Sequence, residues 1–242
     1  MAAPRDKIRD VVLPVASAAP DPPEGIEMTA FLGTAFLIGT GQYALTAAHV
    51  AAMGRSLPMV LVSVNNDGES YGHEVEAAEA HPTEDVAILR LGSPLWPSWM
   101  QLAGTFETQT LSYRSWGYPE NVLHEVVTNG LALPRPDLIY TQGYVRRRLS
   151  MTVPGLNGTQ FFELSDAAGG GCSGAPVLRR TAIAGGFWDV VGVYIGERQV
   201  EGRDPIRVGL AVREEAFRDW VPDVLGRSIL DESRSGSLPH PA

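Results

Sequence analysis

GGGCSGAPVL, residues Gly169–Leu178, is the stretch whose reading decides the fold of this 242-residue chain. Three glycines lead into Cys172 and Ser173, and Gly174, Ala175 and Pro176 lead out into an apolar run. Such a stretch can be a structural turn, a phosphate-binding loop or the bend that presents a nucleophile. The phosphate reading fails on context. No G-x-x-x-x-G-K-[ST] motif is present, and no helix pattern succeeds the glycines to supply a positive N-terminus. The adjoining run, APVLRRTAIA, reads as a strand.

Working outward, the same kind of run recurs along the chain. TAFLGTAFLIG, QYALTAAHVA, MVLVSV, DVAILRL, LIYTQGYVRRRLSMTV, TQFFEL, DVVGVYIGE and IRVGLAVR are short, apolar and rich in Val, Ile, Thr and aromatics. Their spacing of roughly ten residues, punctuated by turn signals, predicts an all-β barrel or sandwich. The 26 glycines and 18 prolines suit many tight turns. Helical spacing occurs convincingly once, in EEAFRDWVPDVL, where Ala216, Phe217, Trp220, Val221, Val224 and Leu225 share a side. Two acids open this segment and Pro222 breaks or restarts it. Residues 1–25, ending in APDPPEG, read as an arm, and residues 227–242 as a flexible tail.

Composition narrows the function classes. The chain carries 19 basic and 28 acidic residues, a formal charge of −9, which makes it a poor general binder of nucleic acid. Its one basic run, Arg146–Arg148, reads as a solvated strand or loop rather than a phosphate site. No run of about 18 apolar residues exists, which argues against a membrane span. A single cysteine excludes an internal disulfide, and no signal-peptide pattern opens the chain. Together these point to a reducing cytoplasm. The five histidines show no ligand spacing, so neither a metal nor another cofactor is expected.

Three segments carry chemistry when taken together. LTAAHV places His49 after an apolar strand, HPTEDVAILRL places Asp85 before another, and GGGCSGAPV holds Ser173. Acyl transfer needs a hydroxyl, an imidazole base and a carboxylate that fixes the imidazole tautomer. His, Asp, Ser is one of the chain orders known for that arrangement. An α/β-hydrolase esterase would instead run Ser, Asp, His among alternating helices.

The three segments resemble the trypsin-like (chymotrypsin-fold) serine peptidase family, in the manner of its disulfide-free bacterial members. TAAHV resembles the histidine motif, HPTEDVAILRL the aspartate segment and GCSGAPV the G-x-S-G-x-P motif. Weaker likenesses are SWGYP at the start of a second barrel, VVGVYIGE at the substrate strand and VGLAVREEAFRDWV at the end. The resemblance implies two packed antiparallel Greek-key barrels with a C-terminal helix. They would occupy residues 26–108 and 109–213, with the helix over 214–226. It implies that Ser173 attacks the scissile carbonyl, His49 moves its proton and Asp85 orients His49. The N–H groups of Gly171 and Ser173 would form the oxyanion hole, with glycine permitting the dihedrals this needs. Tyr194, Ile195 and Gly196 would offer a backbone edge to an extended protein or peptide substrate.

The chain departs from the family in one place that matters. Secreted members carry Asp before the serine, where it pairs with a freshly cut N-terminal amine; here Cys172 stands there. The expectation is a peptidase not switched on by an N-terminal ion pair, competent as made or controlled by a regulatory protein partner. Cys172 reads as a small buried thiol, since the G-x-S-G spacing falls on Ser173. Ala167 occupies the specificity position, favouring a small or apolar residue before the scissile bond; Asp166 or Glu197 would favour a basic one. The rival reading is a catalytically inactive pseudoprotease that binds peptides.

Overall fold

The β-branched and aromatic runs do become strands, because each buries one face against a closed cylinder. The computed structural model describes residues 8–19, 28–54, 58–64, 70–105, 111–121, 123–128, 131–180, 188–201 and 205–236. The first six strands are β1 (Val12–Ala18), β2 (Met28–Ile38), β3 (Tyr43–Thr46), β4 (Met59–Val64), β5 (Ser70–Ala80) and β6 (Ala87–Leu91). They close an antiparallel barrel in the order β1-β2-β3-β6-β5-β4. Leu13, Leu37, Leu61 and Leu89 share one face of it in register and are all essentially without exposure. Fully burying a side chain of this size is worth about 1.5–3 kcal/mol.

The second barrel is built in the same way. Its strands are β8 (Ser112–Gly117), β11 (Ile139–Ser150), β12 (Gln160–Leu164), β13 (Pro176–Arg180), β14 (Trp188–Val200) and β15 (Ile206–Arg213). They run β13-β8-β11-β12-β15-β14, and pairing of β13 with β14 closes the ring. The short β7 (Gln101–Leu102) adds in parallel to β14, and β9 (Leu123–Thr128) and β10 (Leu131–Pro136) form a separate hairpin. Tyr113, Phe162, Tyr194 and Ala211 pack inside the second barrel. Phe161, Val193, Leu210 and Val212 of its strands instead join Phe36 and Leu45 in one cluster that welds the two barrels together.

Two expectations need correction. Residues 1–25 are not an arm throughout: Ile8–Val11 form a helical turn, α1, and β1 is buried along its whole length. Pro14 hid this strand, but it sits opposite Thr34 and outside the Val15–Ser17 stretch that pairs with β4. Its missing N–H therefore breaks no bond to β4. The part of the APDPPEG linker at 20–27 lies outside the described residues.

The C-terminal helix is also displaced. Residues 214–216 form one 3-10 turn, and further turns extend as far as 226. Pro222 cannot donate within a helix and pushes Val221 out of helical geometry, leaving Val221 exposed. Phe217 is nonetheless fully buried. The true helix, α3 (Ile229–Ser235), lies in the segment expected to be a flexible tail. Ser228 caps it, accepting from the Asp231 N–H at 3.1 Å and donating to Oδ2 of Asp231 at 2.7 Å. Ile229 and Glu232 are fully buried. The Glu232 carboxylate accepts from the N–H and hydroxyl of Thr40 at 3.1 and 3.2 Å and pairs with Arg227. Residues 237–242 lie outside the described residues.

Glu232→Ala strands Arg227 and two donors of Thr40 beside a cavity. Denaturant unfolding should show it less stable by about 1–2 kcal/mol, the scale of lost hydrogen bonds to a buried carboxylate whose Arg227 partner is half-exposed. A loss below about 0.5 kcal/mol, the scale of ordinary surface substitutions, would show that α3 does not help hold the first barrel.

Candidate active site

The first barrel presents its histidine on α2 (Ala48–Met53), the short helix that continues β3. This helix has no side-chain cap of its own. Asp85 supplies one from the β5–β6 loop: its Oδ1 accepts the N–H of His49 at 2.9 Å, while its Oδ2 lies 2.7 Å from His49 Nδ1. One carboxylate thus fixes both the backbone and the ring of the same residue. The Asp85 side chain is 6% exposed and that of His49 40%, so the ring's outer edge faces solvent.

The loop carrying Asp85 is itself built locally. His81 Nδ1 accepts from the N–H groups of Glu84 and Thr83 at 3.0 and 3.2 Å. Burial lowers the pKa of His81, keeping this nitrogen free to accept. Glu84 is buried, and its carboxylate reaches the second barrel, accepting the Thr159 N–H at 3.2 Å and the Gln160 N–H at 3.4 Å.

Ser173 lies on the loop before β13. Its carbonyl accepts the N–H of Thr34 at 2.8 Å, and Gly174 donates to the Tyr194 carbonyl at 2.7 Å. Gly174 has φ of +93°, and a Cβ there would stand 1.9 Å from the Thr34 carbonyl oxygen and 2.4 Å from Thr46 Oγ1. Only glycine lets the second barrel approach the first this closely. Upstream, the Gly170 carbonyl accepts from the Glu120 N–H at 2.9 Å. The Gly171 carbonyl accepts from Thr34 Oγ1 at 3.0 Å. A planar trans peptide turns the Gly171 N–H away from the pinned Gly170 oxygen. Neither the Gly171 N–H nor the Ser173 N–H donates to any acceptor among the described residues. Both backbone donors are therefore without a partner among the described residues.

The structure joins His49 to Asp85 by direct hydrogen bonds. It brings Ser173 to the same junction: a Cβ on Gly33 would meet both Val50, beside His49, and the Ser173 carbonyl within 3.0 Å. The Ser173 hydroxyl itself donates to the Ile195 carbonyl at 3.3 Å rather than to His49.

Residues 33–193, well over half of the chain, match the trypsin-like peptidase domain. The chain belongs to the trypsin-like peptidase family. No curated protein sequence matches it. Solved structures resemble it in fold. The HtrA-type protease AlgW with a decapeptide superposes with a TM-score of 0.57 at 16% identity, over 86% of this chain and 62% of that one. The active form of the Rv3671c protease from M. tuberculosis gives 0.55 at 19% identity, over 86% of this chain and 77% of that one. The MamO protease domain from Magnetospirillum magneticum gives 0.54 at 16%, over 87% and 95%. This trypsin-like peptidase thus spans less than two thirds of the AlgW chain.

Other sequence expectations fall out differently in this trypsin-like peptidase. Tyr194 does not offer a free edge: its N–H and carbonyl are engaged with Ala175 and Gly174, and its ring is buried in the second barrel. The unpaired edge begins at Ile195, because from there to Val200 β14 pairs only with β15 among the described residues. Ala167 is half-buried on the loop before Ser173, and the next N–H, of Ala168, donates to the Tyr194 hydroxyl at 3.0 Å. Asp166 is exposed, and Glu197 pairs with Arg207 at 2.9 Å. Cys172 is buried and its thiol donates to the Ala168 carbonyl at 3.2 Å. Burial, then the charge of Glu197, push its pKa up to about 12.

Sequence reasoning missed Thr34 and Glu84. Both act across the barrels, at separations of 137 and 75 residues from their partners, where no local pattern reports them.

Burial keeps the Cys172 thiol protonated at neutral and mildly alkaline pH. A thiol reagent should leave the native peptidase unmodified and react only on unfolding; rapid native-state reaction would contradict this. Thr34→Val removes one donor and one acceptor between the barrels and should destabilise the fold by about 1–3 kcal/mol in denaturant titration; unchanged stability would show the bridge is inert.

Proposed function

We propose that this trypsin-like peptidase is a serine endopeptidase that cleaves protein substrates through Ser173, His49 and Asp85. The observation that carries the reading is the two-point grip of Asp85 on His49, which fixes the ring with Nδ1 committed and Nε2 free. Rotation of the Ser173 hydroxyl from the Ile195 carbonyl to that nitrogen arms the nucleophile. Its oxygen then bonds to the scissile carbonyl carbon as His49 takes the proton. The oxyanion settles against the N–H groups of Gly171 and Ser173, each such donor being worth about 3 kcal/mol in the transition state. His49 returns the proton to the leaving amine, and water releases the acyl group by the same route.

No N-terminal ion pair enters this scheme. Cys172 carries no charge to pair, and the loop is held by hydrogen bonds to Thr34 and Glu120 instead. We further propose that the peptidase works in a reducing compartment such as the cytoplasm under a restraining protein partner. The lone cysteine supports the compartment. One observation favours the rival reading of an inactive peptide binder: the Ser173 hydroxyl is engaged with Ile195 and not with His49.

A peptide library separates the two. The wild-type chain should cleave, while Ser173→Ala and His49→Ala should lose at least about 1,000-fold. Cys172→Ala should keep its activity. Full activity in Ser173→Ala, or no cleavage by the wild type, would overturn the endopeptidase reading.

A further inference from the structure

Glu163 on β12 has only 3% of its side chain exposed, yet three guanidinium groups converge on it. Arg147 and Arg198 each donate to Oε2 at 2.7 Å, and Arg146 lies 3.4 Å from Oε1. A bulge in the β11–β12 register between Val145 and Arg147 lets two consecutive arginines serve one carboxylate. Burial alone would raise the Glu163 pKa; the hydrogen bonds of Arg147 and Arg198 outweigh it and hold the group below its ordinary range. The cluster therefore sets three positive charges against one negative, on a chain of net charge −9. The surplus faces solvent: the side chains of Arg146 and Arg198 are 32% exposed and that of Arg147 is 49%. The Nε of Arg198 is buried without a partner among the described residues. Neighbouring acids are committed elsewhere, Glu197 to Arg207 and Glu215 to Arg148 and Arg213.

Arg198 is the member of the cluster on β14, the strand with the unpaired edge; Glu163 on β12 and Arg146 and Arg147 on β11 lie behind it across β15. Leu210 of β15 stands between Glu163 and Gly196 in register, so Arg198 reaches back across β15 to Glu163. The Ser173 hydroxyl touches the Ile195 carbonyl. A substrate strand antiparallel to β14 thus sets the residue under attack beside Ile195. Counting that residue as the first, the second, third and fourth toward the substrate N-terminus fall beside Gly196, Glu197 and Arg198 at about 3.3 Å each. Directly opposed residues share a face, so the fourth side chain projects on the Arg198 side.

We propose that Arg146, Arg147 and Arg198 form a subsite for an aspartate or glutamate at the fourth residue before the scissile bond. An incoming carboxylate accepts from the guanidinium donors that Glu163 leaves over, and Arg forks suit a planar carboxylate. The register, but not the existence of the cluster, rests on the endopeptidase reading.

The test compares two extended peptides, identical except for Glu or Gln at that position, binding to the Ser173→Ala chain by fluorescence anisotropy. The Glu peptide should bind about tenfold tighter, and the preference should shrink in about 0.5 M salt. In an added Arg147→Gln variant it should fall below about threefold. That variant leaves Glu163 with Arg146 and Arg198, so the buried charge stays compensated; circular dichroism checks the fold. Equal affinities, absence of binding by both peptides, or a preference that survives both Arg147→Gln and Arg198→Gln would overturn the subsite. The readout needs no turnover. Acid-selective binding with no cleavage by the wild type would support the subsite and sink the endopeptidase reading, and cleavage without acid selectivity would do the reverse.

Discussion

Every polar group of Thr34 is engaged, and the joint between the barrels depends on it. Its N–H donates to the Ser173 carbonyl at 2.8 Å and its own carbonyl accepts from Thr46 Oγ1 at 2.7 Å. Its hydroxyl donates to the Gly171 carbonyl and accepts from the Tyr118 N–H, each at 3.0 Å. One buried residue of the first barrel thereby fixes both ends of the Gly171–Ser173 loop and the end of β8. Buried hydrogen bonds of this kind add modestly to stability, but an unmet partner is costly, so the arrangement has little freedom to relax. Pro14 fits opposite Thr34 for the same reason: the Thr34 N–H is spent on the Ser173 carbonyl and its carbonyl on Thr46 Oγ1, so neither asks anything of β1.

That joint makes the candidate site a property of two barrels rather than of either one. His49 and Asp85 are held within the first, and Ser173 arrives on a loop of the second. Glu84, next to Asp85, ties the β5–β6 loop to Thr159 and Gln160 at the start of β12, so the two barrels are also joined at a second place. Uncharged hydrogen bonds to Thr34 and Glu120 hold the glycine loop in this chain.

The parts of this arrangement that are legible in sequence are those set by local chemistry. A strand shows as a run of β-branched and aromatic residues, and the glycines flanking Ser173 show because close approach and positive φ admit little else. His49, Asp85 and Ser173 stand out because the residue types are scarce and the contexts short. Thr34 and Glu84 look like any strand threonine and any loop acid, since their roles are written in contacts across the fold. The buried strand β1 was masked by Pro14 and flanking charges. The helix α3 carried a legible signal, Ser228 three residues before Asp231, overshadowed by the stronger apolar periodicity just upstream. The basic run at 146–148 looked solvated because its counter-ions lie on β12 and beyond β15, far along the chain.

The central claim is that Ser173 is a nucleophile activated by His49 and Asp85. Labelling with a fluorophosphonate, followed by mass-spectrometric mapping, tests it most directly because it needs no known substrate. The label should appear on Ser173 alone, vanish in Ser173→Ala and His49→Ala, and persist in Cys172→Ala. An unlabelled wild-type chain, or a label that survives Ser173→Ala, would contradict it.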